Sequence, residues 1–218
     1  FWPCIAHTDK ITYIAFTTGS GASAAQKFFA STDLQTWTEF AGTGDPHTAP
    51  RGSSICTDDV GNLYSVTLGM DTSLFKLPAG SSVWQNLGAV DFWGYSTIRW
   101  FAGKLWLIAF EGPDTAPLTI LSSPDGTTWT PEKGPTLTYC ALGINFAVFD
   151  NHLCLLYSEN PNTTPGDPEA QPIPLALWRM DAAGNWKQDA AVPNEMIEPK
   201  SEGPDVACFN GVFYVAGN

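Results

Sequence analysis

The sequence predicts an all-β fold made of repeated four-stranded blades, a β-propeller, and three observations carry that prediction. A turn followed by a tryptophan recurs, with Trp37, Trp84, Trp129 and Trp186 standing 47, 45 and 57 residues apart. A period of roughly 40 to 50 residues with several strands in each repeat is the mark of a propeller. Hairpins of nearly unbroken Val, Ile, Leu, Phe and Ala alternate with these turns. Finally, 20 Gly and 17 Pro punctuate 218 residues of which 13% are aromatic, and no stretch sustains a helical period.

Each blade pairs an inner hairpin with an outer one. The inner hairpins are "CIAHTDKITYIAF" from Cys4, "SICTDDVGNLYSVTL" from Ser54, "IRWFAGKLWLIAF" from Ile98, "FAVFDNHLCLLYS" from Phe146 and "VACFNGVFYVAG" from Val206. Their turns fall at Asp9-Lys10, Gly61-Asn62, Gly103-Lys104, Asp150-Asn151 and Asn210-Gly211, and such residues accept the left-handed backbone of a tight hairpin. Continuously apolar strands need cover on both faces, which stacked blades supply. The outer hairpins turn at "STDLQTW", "PAGSSVW", "SPDGTTW" and "DAAGNW". Five inner and four outer hairpins predict five blades, the last incomplete in this chain, in one domain over residues 1–218. A two-stranded fifth blade, a truncated one, and a homo-oligomeric partner that completes it are the alternatives. A larger ring of which this chain is a part is the alternative to five blades.

"SSPDGTTWT" resembles the Asp-box of bacterial and fungal β-propellers, through Ser123, Asp125, Gly126, Thr128 and Trp129. "STDLQTW" keeps Ser31, Asp33, Thr36 and Trp37, with Leu34 where glycine is usual; the remaining two copies are degenerate. The resemblance implies a structural role: the Asp bonds the backbone of its own turn, and the Trp packs between blades. Asp-boxes occur in sialidases, in other glycosidases and in lectins, so the motif points to a fold more than to an activity.

Three arginines in all, Arg51, Arg99 and Arg179, argue against a sialidase triad, which clasps a carboxylate with converging guanidiniums. An arabinanase-like five-bladed glycosidase needs carboxylates facing each other across the scissile bond. Asp45, Asp91 and Asp205 are the candidates, on segments leading into inner strands. The same segments carry Trp2, Trp93, Tyr95 and Tyr139, aromatic plates beside polar groups, which suit the flat face of a sugar. With Arg51, Glu111 and Asp205 they form the expected sugar-binding set. The resemblance to propeller lectins implies several sugar sites between blades. The favoured expectation is therefore a multivalent lectin without catalytic residues, binding glycans or glycoproteins. A propeller glycoside hydrolase, arabinanase- or sialidase-like, and a protein-interaction scaffold are the alternatives, and enzymatic activity is left undecided, leaning against.

A formal net charge of −12 with ten Lys and Arg argues against nucleic acid, for no basic cluster tracks phosphates. No apolar run is long enough for a membrane-spanning helix. Acidic residues are scattered and no Cys-x-x-Cys pair occurs, so neither a metal nor another cofactor is expected. The loop Ser158 to Pro174 accounts for the longest repeat spacing. It carries the sequon Asn162-Thr163-Thr164, which with the non-Met start leans the expectation towards an extracellular protein.

Overall fold

The computed structural model describes residues 4–18, 25–40, 54–66, 73–90, 97–110, 118–135, 144–158, 175–189, 205–209 and 211–216. All regular structure there is β: no helix occurs among the described residues, and so none that is long and apolar enough to cross a membrane. Each blade is a meander in which sequential strands pair antiparallel. The first contains β1 (Cys4–His7), β2 (Thr12–Thr18), β3 (Ala25–Ser31) and β4 (Thr38–Glu39); the second β5 (Ser54–Thr57), β6 (Leu63–Val66), β7 (Ser73–Leu77) and β8 (Gln85–Ala89). The third contains β9 (Ile98–Phe101), β10 (Lys104–Phe110), β11 (Leu118–Ser123) and β12 (Thr130–Pro131); the fourth β13 (Ile144–Phe149), β14 (His152–Ser158), β15 (Leu175–Met180) and β16 (Trp186–Gln188). A fifth sheet has two described strands, β17 (Asp205–Phe209) and β18 (Val212–Ala216). This is the predicted propeller arrangement, and the inner strands pass through Cys4, Ile55, Ile98, Phe146 and Val206 as the hairpin pattern requires.

Two compact units divide the chain: Phe1–Pro113 with Ile120–Glu132, and Asp114–Thr119 with Lys133–Asn218. In the first unit the leading strands β1, β5 and β9 lie side by side. The period-2 alternation of a strand then fills two seams from one blade. Ile55, Leu63, Phe75, Leu77 and Trp84 pack with Ala6, Ala15 and Phe28 of the first blade. Their neighbours Cys56, Tyr64, Val66 and Leu74 pack with Ile98, Leu105, Leu107 and Leu121 of the third. That double cover explains why Leu63–Val66 and Leu105–Ile108 are buried at every position. The outermost β4, β8 and β12 are largely exposed, so burial falls outward along each blade. In the second unit Val206 and Phe213 pack against Ala147, Cys154, Leu156 and Leu177. Val212, Tyr214 and Val215 of β18 are exposed.

The fourth inner turn falls where the sequence expects it and the third is shifted by one residue, while Asn210 of the fifth lies outside the described residues. Phe149 pairs with His152, which leaves Asp150-Asn151 as a two-residue turn with φ of 49° and 55°, the primed geometry that Asp and Asn tolerate. Phe101 pairs with Lys104, so the third inner turn is Ala102-Gly103, not Gly103-Lys104; Lys104 is the first residue of β10.

Candidate functional site

Most of the segments expected to hold ligand lead into the first strands of the blades, whose opening described residues include Cys4, Ser54, Ile98, Arg99, Asn145 and Asp205, whereas Glu111 follows the end of β10. At the second and third blades the leading ends are tied together by side chains. Ser54, 8% exposed, accepts hydrogen bonds from the Ile98 backbone N–H at 3.1 Å and from Arg99 Nη1 at 3.3 Å. The same Nη1 donates to the Ile98 carbonyl at 2.7 Å. A hydroxyl has two acceptor lone pairs, and both are used here by the neighbouring blade. In the second unit, the Oδ1 atom of Asn145 is buried with no hydrogen-bond partner among the described residues. Asp205 opens β17, its backbone opposite Ala216.

Trp2, Arg51, Trp93, Tyr95, Glu111 and Tyr139 lie outside the described residues, as do Asp45 and Asp91. Of the expected set only Asp205 is placed, and only by its backbone. Arg99 and Ser54 were the residues that sequence reasoning passed over. Arg99 reads as mid-strand, yet β9 begins at Ile98, so its guanidinium reaches the leading end of the neighbouring blade. The signal available was position alone: each residue stands at the start of an apolar run.

The aspartates of the outer turns are committed to structure. Asp125 Oδ1 accepts from the backbone N–H of Thr127 at 2.8 Å and of Thr128 at 2.9 Å, and from the Ser123 hydroxyl at 3.1 Å. Asp33 repeats this with Gln35 at 2.9 Å, Thr36 at 2.7 Å and the Ser31 hydroxyl at 3.0 Å. Backbone donors stabilise the ionised form. The Thr36 amide, followed by that of Gln35, holds Asp33 at about 2, and the Thr128 amide, followed by that of Thr127, does the same for Asp125. Both groups are ionised at neutral pH and are poor proton donors.

The fourth outer turn departs from this pattern. Asp181 accepts from the N–H groups of Ala183 and Asn185, each at 2.9 Å, with Gly184 at φ 88°. The inner turn at Asp58 is built the same way, accepting from Val60 at 3.1 Å and Asn62 at 2.8 Å, with Gly61 at φ 88°. "DAAGN" and "DDVGN" are thus one turn type used in two places, and Asp181 is not a degenerate copy of the Ser123 turn.

The repeat tryptophans also divide. Trp84 is buried, while Trp37, Trp129 and Trp186 are half-buried. Trp129, half-buried, packs against the cluster between the second and third blades. Among the described residues no group of three or more His, Cys, Asp or Glu could hold a metal ion.

No protein-family model and no curated protein matches the chain. Solved structures do. A GH32 β-fructofuranosidase from Bombyx mori is similar over 97% of this chain and 53% of its own, with a TM-score of 0.57 at 9% identity. A xylan β-1,4-xylosidase from Bacillus halodurans is similar over 98% of this chain and 47% of its own (TM-score 0.52, 15% identity). An endo-1,4-β-xylanase from Bacteroides thetaiotaomicron is similar over 99% and 94% (TM-score 0.54, 14% identity). The chain spans about half the length of the first two. At these identities the likeness establishes the propeller fold. The Asp-box and lectin resemblance finds no family support, and the expectation of a lectin without catalysis is overturned by this likeness to structures that are glycoside hydrolases.

Proposed function

We propose that the chain is a glycoside hydrolase domain of the propeller type, with residues 1–218 acting as one domain and the site at the leading ends of the inner strands. The observation that carries this reading is the likeness, across nearly the whole chain, to propeller glycoside hydrolases that include a xylosidase and a xylanase. The substrate class it favours is a plant-type polysaccharide or oligosaccharide of pentose units.

Hydrolysis of a glycoside needs one carboxylic acid to protonate the leaving oxygen. A second carboxylate either activates water or attacks the anomeric carbon, and the separation of the two sets the stereochemical outcome. Asp45 and Asp91 in the first unit and Asp205 in the second are each a candidate for one of these groups in this proposal, since Asp33, Asp125 and Asp181 are engaged by the amides of their own turns. Trp2, Trp93, Tyr95 and Tyr139 would stack on the sugar rings, and Arg51 and Glu111 would fix the hydroxyls. An acid beside a second carboxylate keeps its proton at higher pH than an isolated one, which is what an acid catalyst near neutrality requires.

Aryl xylosides, arabinofuranosides and fructosides, followed by xylo- and arabino-oligosaccharides, test the reading directly. Turnover that drops by about a thousandfold in at least two of Asp45→Asn, Asp91→Asn and Asp205→Asn is expected, on the scale of losing an acid–base group. No release of product from any of these substrates would sink it.

A further inference from the structure

We propose that Ser54 and Arg99 form a positioning clamp between the second and third blades, and that the hydrolysis proposed above depends on it; the catalytic half of this inference rests on that reading. Adjacent blades are separate sheets, so no backbone ladder fixes β5 against β9. The cluster across this seam is built of apolar side chains, which tolerate sliding more readily than directional bonds do. Ser54 replaces the missing ladder at one point. Its oxygen takes the Ile98 N–H, at 3.1 Å, and an Arg99 N–H, at 3.3 Å. Arg99 returns to its own strand through the Ile98 carbonyl at 2.7 Å. The result closes a small ring of three groups at the leading ends of both strands, with Ile98 fully buried and Ser54 nearly so.

Two physical points make this more than seam packing. A half-buried guanidinium has a desolvation cost that an apolar side chain of similar length would avoid. What it gains is a rigid, planar set of donors that reaches acceptors on two strands at once, which a flexible ammonium does less well. The location matters as well. Ser54 follows directly on segment 41–53, which carries Asp45 and Arg51, and Ile98 follows closely on segment 91–96, which carries Asp91, Trp93 and Tyr95. Catalytic groups drawn from two blades need their anchor points held to a fraction of an ångström. Arg99 and Ser54 act through those anchors and are positioning residues, not catalytic ones.

The full chain and its Ser54→Ala, Ser54→Thr and Arg99→Lys variants test this by three readouts: exchange of the Ile98 amide proton, kcat and KM on the best aryl glycoside, and Tm. Ser54→Ala should speed Ile98 exchange by about tenfold, as expected when a protected amide loses its acceptor. It should lower kcat by about tenfold with KM within twofold, the pattern of misplaced groups. Ser54→Thr, which keeps the hydroxyl, should recover most of both losses. Arg99→Lys should fall between Ser54→Ala and the wild type in kcat. Unchanged Ile98 exchange in Ser54→Ala overturns the clamp. A kcat that is unchanged, or that falls only with Tm and is not recovered by Thr, overturns its catalytic role. If the wild-type chain cleaves no glycoside, the hydrolase reading and the catalytic role fall together, and Ile98 exchange still decides the clamp by itself.

Discussion

Gly126 and Leu34 hold the same place in two turns, and both take positive φ, 81° and 60°. Their N–H groups donate to Ser123 Oγ at 2.8 Å and Ser31 Oγ at 2.9 Å. The surroundings differ. A Cβ on Gly126 would lie 2.8 Å from Leu87 Cδ1 and 2.9 Å from Leu74 Cδ2, whereas Leu34 is 65% exposed. Packing as well as backbone favours glycine at 126, whereas at 34, where leucine stands, only the backbone does.

Opposite responses to substitution follow. Gly126→Ala should destabilise by about 2 kcal/mol, from overpacking and left-handed strain together. Leu34→Gly relieves strain of about 1 to 2 kcal/mol but adds freedom to the unfolded chain that offsets about 1 kcal/mol of it. It should therefore fall between neutral and about 1 kcal/mol stabilising. Urea melts of the two variants check the pair; a Leu34→Gly loss as large as that of Gly126→Ala would show that the two turns do not share a backbone.

Trp84 is the tryptophan whose loss should matter most. It is 4% exposed and meets Phe28 at 5.2 Å between ring centroids. Trp84→Ala should cost about 3 to 5 kcal/mol, and Trp129→Ala, from a half-buried rim position, about half of that. The Trp84 indole N–H is buried without a partner among the described residues. Trp84→Phe therefore removes an unsatisfied donor along with some volume and should cost less than about 1.5 kcal/mol. Chemical denaturation of the three variants checks the ranking.

Thiol chemistry should sort the cysteines by burial. Desolvation pushes the Cys56 thiol up to about 12 and is the first cause pushing Cys154 up to about 11, ahead of the neighbouring Cys208. At pH 8 a thiol like Cys56 holds on the order of a thousandfold less thiolate than an ordinary cysteine. Cys208 is exposed. Iodoacetamide on the folded chain, read by peptide mass spectrometry, should label Cys208 while Cys56 and Cys154 stay unmodified until denaturant is added. Early labelling of Cys56 would contradict the buried second and third blade seam.

What was legible in the sequence was periodic. Runs such as "KLWLIAF" and "HLCLLYS" state that both faces are covered, and Asp150-Asn151 states a two-residue turn, so blades and inner hairpins could be read directly. The depth of Trp129 was not legible because a motif position fixes direction but not depth; its burial depends on the buried cluster of second- and third-blade side chains against which it packs. Asp181 was misassigned because Asp and Gly near a Trp occur in two turn types, which differ in where the carboxylate finds its amides. The Ser54–Arg99 contact was invisible since it joins residues 45 apart in the chain, in strands that share no ladder. Function was the least legible, as an aromatic near a carboxylate suits holding a sugar and cleaving one equally well.

The outer turns should make the chain acid-sensitive in a narrow window. Asp33 and Asp125 sit at about 2 when folded, against an ordinary value of 3.8, held down first by the Thr36 and Thr128 amides respectively. Asp181 is lowered too, first by the Asn185 amide. A folded pKa below the unfolded one means the ionised turn stabilises the fold above pH 3.8 and that this contribution disappears as pH falls towards 2. Asp125→Asn keeps one acceptor without the charge, so it should be less stable than wild type at pH 7, and the gap should close between pH 4 and 2. Urea midpoints at pH 7, 4 and 2.5 measure it. A gap of constant size across that range would mean that the Asp125 charge contributes nothing and that only the shape of the turn matters.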